Sequence, residues 1–232
     1  MMKTSRKAKV TKSMLARRRV LGRLAIVMLG VAALVASPGR GHAAGTEDAS
    51  AFLASLTDQA FAQLSDESLS APERRQRFRI LFREHFDIPA IGRFVLGRYW
   101  RRAEPPVRKD FLSVFEEIMV QRFAPKFANY AESRFEIGLV RPLREKGQYM
   151  VSSTVAPSEG EPFRIDWRVR DKDGRLKILD VLGQGISMAL TLRSEYASAI
   201  KSSGGRVEGL IDKLRARIES DPDTQTTSNT ED

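Results

Sequence analysis

A chain of 232 residues with 42% hydrophobic side chains is long enough for one domain with a real core, and its lack of cysteine excludes disulfides, thiol catalysis and cysteine-ligated metal. The 39 basic and 29 acidic residues give a net charge of +10, but the excess is unevenly spread. Ten of the basic residues and none of the acidic ones fall in residues 1–43, so the remainder balances at 29 against 29 and gives no support to nucleic-acid binding.

Residues 1–43 read as a targeting segment rather than as fold. Lys3, Arg6, Lys7, Lys9, Lys12, Arg17, Arg18, Arg19 and Arg23 form a basic lead, and residues 24–35 are an apolar run too short for a confident membrane span. Small residues follow over 37–44, with Gly41 and Ala43 where a signal peptidase prefers them, so cleavage is expected near Ala43. The run Arg17-Arg18-Arg19-Val20-Leu21 fits a twin-arginine pattern loosely and an ordinary arginine-rich leader better; an uncleaved anchor is a further reading. Export would leave one domain over residues 44–220, held by packing alone. Residues 221–232 are polar and acidic with no apolar anchor, and disorder is expected there.

Helices come first. Residues 48–64 place Phe52, Leu56, Ala60 and Leu64 at helical spacing. Pro72 suits the first turn of a helix in which Phe78, Leu81, Phe82 and His85 recur. Asp87-Ile88-Pro89 opens the next, carrying Ile91, Val95, Leu96 and Tyr99 into Trp100. Pro105-Pro106 opens a long helix through Phe111, Val114, Phe115, Ile118, Met119, Arg122 and Phe123, which Pro125 kinks or ends.

Four strands are predicted next, over 134–140, 149–155, 163–170 and 176–182. In the third, Phe163, Ile165, Trp167 and Val169 alternate with Arg164, Asp166, Arg168 and Arg170. Asp171-Lys172-Asp173-Gly174 is a hairpin turn, and counting back from it pairs Val169 with Leu176 and Trp167 with Ile178. That register puts Asp180 on the apolar face, opposite Ile165. Gly183 and Gly185 break the sheet, and residues 186–200 read as a helix with Ile186, Ala189, Leu190, Arg193 and Ala197 along one stripe and Tyr196 at its edge. Gly204-Gly205 stops it before a last helix over 207–218. Helices, an antiparallel sheet, then helices define an α+β fold.

Catalytic signals are weak. Asp180 needs a partner such as Arg98, Arg193 or a helix N-terminus, and a structural ion pair is the simpler role for it than a head-group or gating contact. His42 leaves with the leader, so His85 stands alone and a histidine-rich zinc site is excluded. No G-x-S-x-G surrounds Ser187 or Ser194, and Gly183-Gln184-Gly185 lacks the third glycine or lysine of a phosphate loop.

Two stretches carry a family likeness: FDIPAIGRFVLGRYWRR (86–102) and DWRVRDKDGRLKILDVLGQGISMALTLRSEYASAI (166–200). With LGRYWR at Leu96 to Arg101, the strand–DG–strand unit and GISM at Gly185 to Met188, the chain resembles the MlaC family of periplasmic lipid carriers, also called the toluene-tolerance auxiliary family, over about residues 49–217. VEGLI at Val207 to Ile211 and FDIPAIGRFVLGRYWR resemble the branch associated with hopanoid biosynthesis. Leu176 and Leu179 depart from the family, many members of which have an aromatic there.

The resemblance implies a non-enzymatic, cofactor-free binding protein that shuttles a phospholipid or hopanoid-type lipid through the periplasm, between an outer-membrane lipoprotein/porin complex and an inner-membrane ABC transporter. Physics asks for the same design. At ~0.8 kcal/mol per methylene, an acyl chain of ~15 carbons resists water by roughly 12 kcal/mol, so a carrier encloses the tails. The lining expected from the sheet is Phe163, Ile165, Trp167, Val169, Leu176 and Ile178. From the helices it is Phe94, Val95, Tyr99, Phe111, Phe115, Ile118, Met119, Phe123, Tyr130, Ile186, Leu190 and Tyr196. Two other classes stay open: an enzyme with an apolar cavity using Asp180 as base, and an assembly factor with a filled core.

Overall fold

Helix boundaries follow local signals in the computed structural model, which describes residues 45–130, 133–158 and 160–220, without the side chains of 129 and 130. The leader read over 1–43 and the tail read from 221 lie outside the described residues. Helix α1 spans Thr46–Leu64. Helix α2, Ala71–His85, opens on a capping box: Ser70 Oγ accepts from Glu73 N, and Glu73 Oε2 accepts from Ser70 N at 3.0 Å. Helix α3, Ile88–Leu96, is capped by Asp87, whose Oδ1 accepts from Ala90 N at 3.2 Å.

The single helix expected through Trp100 is two. Gly97 interrupts it at φ +53°, and a short α4, Arg98–Arg102, follows. Only glycine fits there without strain, and an added Cβ would also lie 3.1 Å from the Arg193 guanidinium. Helix α5, Pro105–Phe123, ends where Pro125 approaches, and a 3₁₀ segment, Ala124–Tyr130, carries that proline.

The sheet is antiparallel in the order β1-β2-β3-β4-β5 and has five strands where four were expected. They are β1 Arg134–Pro142, β2 Gln148–Ala156, β3 Phe163–Lys172, β4 Arg175–Gly183 and β5 Ile186–Ser187. The fifth is a two-residue strand folded back over a tight Gln184-Gly185 turn, both residues at positive φ, so Gly183 pairs with Ile186. The helix expected from Ile186 therefore starts later: α6 is Met188–Ser202, with Ser187 as its N-cap. Helix α7, Val207–Glu219, closes the described chain.

The β3–β4 register also differs from the expectation. Asp173 and Gly174, at φ +56° and +78°, form a two-residue turn, so Lys172 pairs with Arg175. A bulge then shifts the ladder: Val169 faces Ile178, Arg168 faces Asp180 and Trp167 faces Val181, which leaves Leu179 as the extra residue. The inserted residue inverts the alternation, so Ile178 and Val181, three apart, share the apolar face. Asp180 is thereby removed from that face and stands opposite Arg168 rather than Ile165.

Packing divides into clusters. Helices α3, α5, α6 and α7 bury one another around Phe111, Phe115, Ile200 and Leu210. Helix α1 lies on the sheet, setting Ala49, Leu53 and Leu56 against Val151, Val169 and Ile178. Ala60, Leu64 and Leu81 join α1 to α2, and Arg74 pins the joint by donating to Leu64 O and Asp66 O at 2.9 and 2.7 Å. The α2–α3 junction is stitched to β4 by Asp87 N donating to Ile178 O at 3.0 Å, and to β3 by an Asp87–Arg170 ion pair.

Candidate functional site: an apolar hollow between sheet and helices

The sheet face toward α1 and α2 is built from alternate residues of three strands. Val155 pairs with Phe163, Ser153 with Ile165 and Val151 with Trp167, so these six side chains share one face. Phe135 of β1 joins opposite Val155, and its ring meets Trp167 edge-on with centroids 6.4 Å apart. The two polar groups on this wall satisfy each other. Trp167 Nε1 donates to Ser153 Oγ at 2.9 Å, and Ser153 Oγ donates to Ile165 O at 3.0 Å. What remains facing inward is hydrocarbon.

The helices do not fill the space above this wall. A hollow of about 360 Å³ remains, within the range of small-molecule sites. Its walls are Leu56, Thr57, Ala60 and Phe61 of α1, Phe78, Leu81 and Phe82 of α2, Phe86 just after α2, Met119 and Phe123 of α5, Lys126 and Phe127 of the 3₁₀ segment, Phe135, Val155, Phe163, Ile165, Trp167, Val181, Gly183 and Met188. The α2 aromatics are held as a row: Phe78 stacks on Phe82 at 5.9 Å, Phe82 meets Phe86 at 4.7 Å, and Phe78 touches Phe127 at 5.8 Å. Lys126 is the single charged residue among these walls.

Of the residues expected to line a cavity, Met119, Phe123, Phe163, Ile165 and Trp167 do so. Val95, Tyr99, Phe111, Phe115, Ile118 and Tyr196 are instead consumed in helix-to-helix packing. That outcome follows from four amphipathic helices sharing one core: their apolar stripes face each other and not the sheet. Val169 and Ile178 are fully buried beneath α1, with Leu176 against the same cluster. The two-residue turn sets Ile178 opposite Val169 and Leu176 opposite Asp171, and the bulge beyond Ile178 brings Val181 into the wall position opposite Trp167. Ile186 and Leu190 are 69% and 59% exposed, since β5 and the first turn of α6 face solvent. Phe94 is exposed too, with Arg193 over its ring at 4.9 Å. The Tyr130 side chain lies outside the described residues.

The walls that the periodicity reading missed are mainly on α1 and α2. Phe78, Phe82 and Phe86, at successive steps of four, were the available signal: an all-aromatic stripe wider than one helix contact requires.

A second recess of about 360 Å³ adjoins the hollow, lined by Ala54, Thr57, Asp58, Phe61, Ser133, Phe135 and Ile137. Thr57, Phe61 and Phe135 belong to both. Ser133 Oγ is buried there and has no hydrogen-bond partner among the described residues.

The groups with catalytic potential are occupied structurally. Asp180 caps α6: its carboxylate accepts from Ala189 N and Val181 N, both at 2.9 Å, and from Ser187 Oγ. A helix N-terminus is thus its partner, rather than Arg98 or Arg193. His85 is buried against Phe52 with ring centroids 5.7 Å apart, and desolvation lowers its pKa below the ordinary histidine value, aided by the Lys177 charge and opposed by Glu84. Tyr196, edge-on to Phe111, has its phenol pushed above the usual range by burial. Among the described residues no group of three or more His, Asp or Glu side chains could hold a metal ion, and no helix is long and apolar enough to cross a membrane.

This architecture is a mixed α+β fold in which an antiparallel sheet and a helical cover leave an oil-lined space unfilled. The chain belongs to the MlaC family: the family described as MlaC protein matches residues 54–216. A curated relative, the intermembrane phospholipid transport system binding protein MlaC of Haemophilus influenzae, is 24% identical over 134 residues, which are 56% of this chain and 62% of that protein. The match therefore spans less than two thirds of that relative's length. The fold is also that of a phospholipid-binding protein from Ralstonia solanacearum solved in complex with a phospholipid, with a TM-score of 0.64, 23% identity and coverage of 74% of this chain and 97% of that one.

Proposed function

We propose that this chain is a lipid carrier that holds the acyl part of a phospholipid in the hollow between α1, α2 and the sheet. The observation that carries the reading is the wall itself: side chains from five helical segments and four strands converge on one space, and Lys126 alone among them is charged. A packed core would have closed such a space, because each lost contact and exposed methylene costs free energy. A hydrocarbon guest restores those contacts. The family membership, the relative's name as a phospholipid transport binding protein and the phospholipid held by the structural neighbour support the same reading.

In this reading the leader over residues 1–43 exports the chain to the periplasm, and the domain over 44–220 exchanges lipid with an inner-membrane ABC transporter and an outer-membrane lipoprotein/porin complex. Phe163, Ile165, Trp167, Met119 and Phe123 contact the tails together with the α2 aromatics. A hopanoid-type lipid is the second ligand class, favoured by the VEGLI and FDIPAIGRFVLGRYWR likenesses. No catalytic step is needed. Organic extraction of the purified protein followed by mass spectrometry tests the proposal: near-stoichiometric lipid supports it, and its phosphorus content separates phospholipid from hopanoid. Lipid-free protein that turns over a small hydrophobic compound would replace the carrier with an enzyme.

A further inference from the structure

We infer that the second recess is a head-group site, and that it selects a zwitterionic head carrying both a phosphate and an amine. This rests on the carrier reading and goes beyond it by naming the class of head. The recess and the hollow share Thr57, Phe61 and Phe135, so the two spaces adjoin along those three side chains. One space is walled by hydrocarbon, whereas the other holds a carboxylate and two hydroxyls. That is the polarity of an amphiphile.

Three polar groups border these spaces, the Ser133 hydroxyl buried and the Lys126 and Asp58 side chains exposed. Ser133 Oγ is buried with no hydrogen bond among the described residues, and an orphan hydroxyl in that setting is costly unless a ligand oxygen accepts from it. Lys126, the one cation on the hollow, forms no ion pair among the described residues. Asp58, one residue beyond the shared Thr57, likewise forms none. A phosphate ester leaving the hollow meets a cation and a hydroxyl donor, and an ammonium attached to it meets a carboxylate. A head with phosphate but no amine sets a like charge near Asp58, which is discrimination by repulsion as well as attraction.

The test uses the purified protein and vesicles of equal parts phosphatidylethanolamine and phosphatidylglycerol, with bound lipid quantified by mass spectrometry after re-isolation. The expected result is enrichment of the amine-bearing lipid by about two- to fivefold, the worth of one exposed ion pair. Asp58→Asn returns the ratio to that of the vesicles, Asp58→Lys reverses it, and Lys126→Glu lowers total phospholipid. Bound lipid with the vesicles' own ratio, enrichment of phosphatidylglycerol, or enrichment surviving in Asp58→Asn overturns the head-group assignment while leaving the carrier standing. Protein that takes up neither lipid overturns both.

Discussion

Trp167 and Ser153 meet diagonally across β2 and β3, with 2.9 Å between indole nitrogen and hydroxyl oxygen. This bond keeps the largest aromatic of the sheet wall fixed and removes its polar handle from the hollow. Ser153 is 2% exposed, so its hydroxyl is shut off from bulk solvent. Ser153→Val is isosteric enough to pack but leaves the indole N–H unpaired. The expected cost is about 1–3 kcal/mol in a urea titration. An unchanged midpoint would mean that the indole finds another acceptor.

Asp87 and Arg170 pose a similar test at the α2–α3 junction. Asp87 is 3% exposed and has Arg170 and, at 3.4 Å, Lys172 as cationic partners. Burial alone would raise its pKa. The Arg170 hydrogen bond, the Ala90 N–H and the charges of Arg170 and Lys172 outweigh burial and hold the carboxyl below the ordinary value. Asp87→Ala strips the cap from α3 and strands a half-buried guanidinium, so about 2–4 kcal/mol of stability should be lost. Loss below ~1 kcal/mol in chemical denaturation would show the junction to be held by its apolar contacts instead.

His85 and Asp87 titrate in separate windows, both with the same sign. Each has a folded-state pKa below its unfolded value, so the unfolded chain binds more protons and stability falls with acidification. The Asp87 contribution is complete above an unfolded value near 3.8 and is lost as the pH drops through the still lower folded value. The His85 contribution is complete above about 6.5 and declines below it, because a charge must then enter a site packed on Phe52. Melting temperature should therefore fall between pH 7.5 and pH 5, and His85→Phe should flatten that slope specifically. A slope that survives in His85→Phe would assign it to other groups.

Much of this was legible in advance. Pro72, Asp87, Pro105 and a turn ending at Gly174 mark their boundaries in any context, because capping and turn geometry are local, although the turn's two-residue length was not read. Which apolar stripe faces which was not legible. Phe111 and Phe82 recur at the same helical spacing, yet one is sealed among four helices and the other borders the hollow. That choice is made by long-range packing. The Leu179 bulge was also invisible: one inserted residue reassigns every side chain beyond it, and no residue type announces it.

Asp180 separates a structural role from a chemical one. Its carboxylate holds Ala189 N and Ser187 Oγ at the start of α6, so Asp180→Ala should destabilise by about 1–2 kcal/mol, with Asp180→Asn retaining part of the cap. Neither variant should alter the lipid recovered per folded protein. Loss of lipid from a fully folded Asp180→Asn would move this residue into the binding machinery.

The central claim is that the space bounded by Trp167, Ile165 and the α2 aromatics holds hydrocarbon. Its most direct measurement is lipid recovered per protein from purified wild type and from Ile165→Glu, each shown folded by circular dichroism. A charge introduced into that wall should reduce recovered lipid at least tenfold, given the cost of setting an unpaired carboxylate against an acyl chain. Lipid retained at the wild-type level by a folded Ile165→Glu, or none recovered from the wild type, would contradict the account.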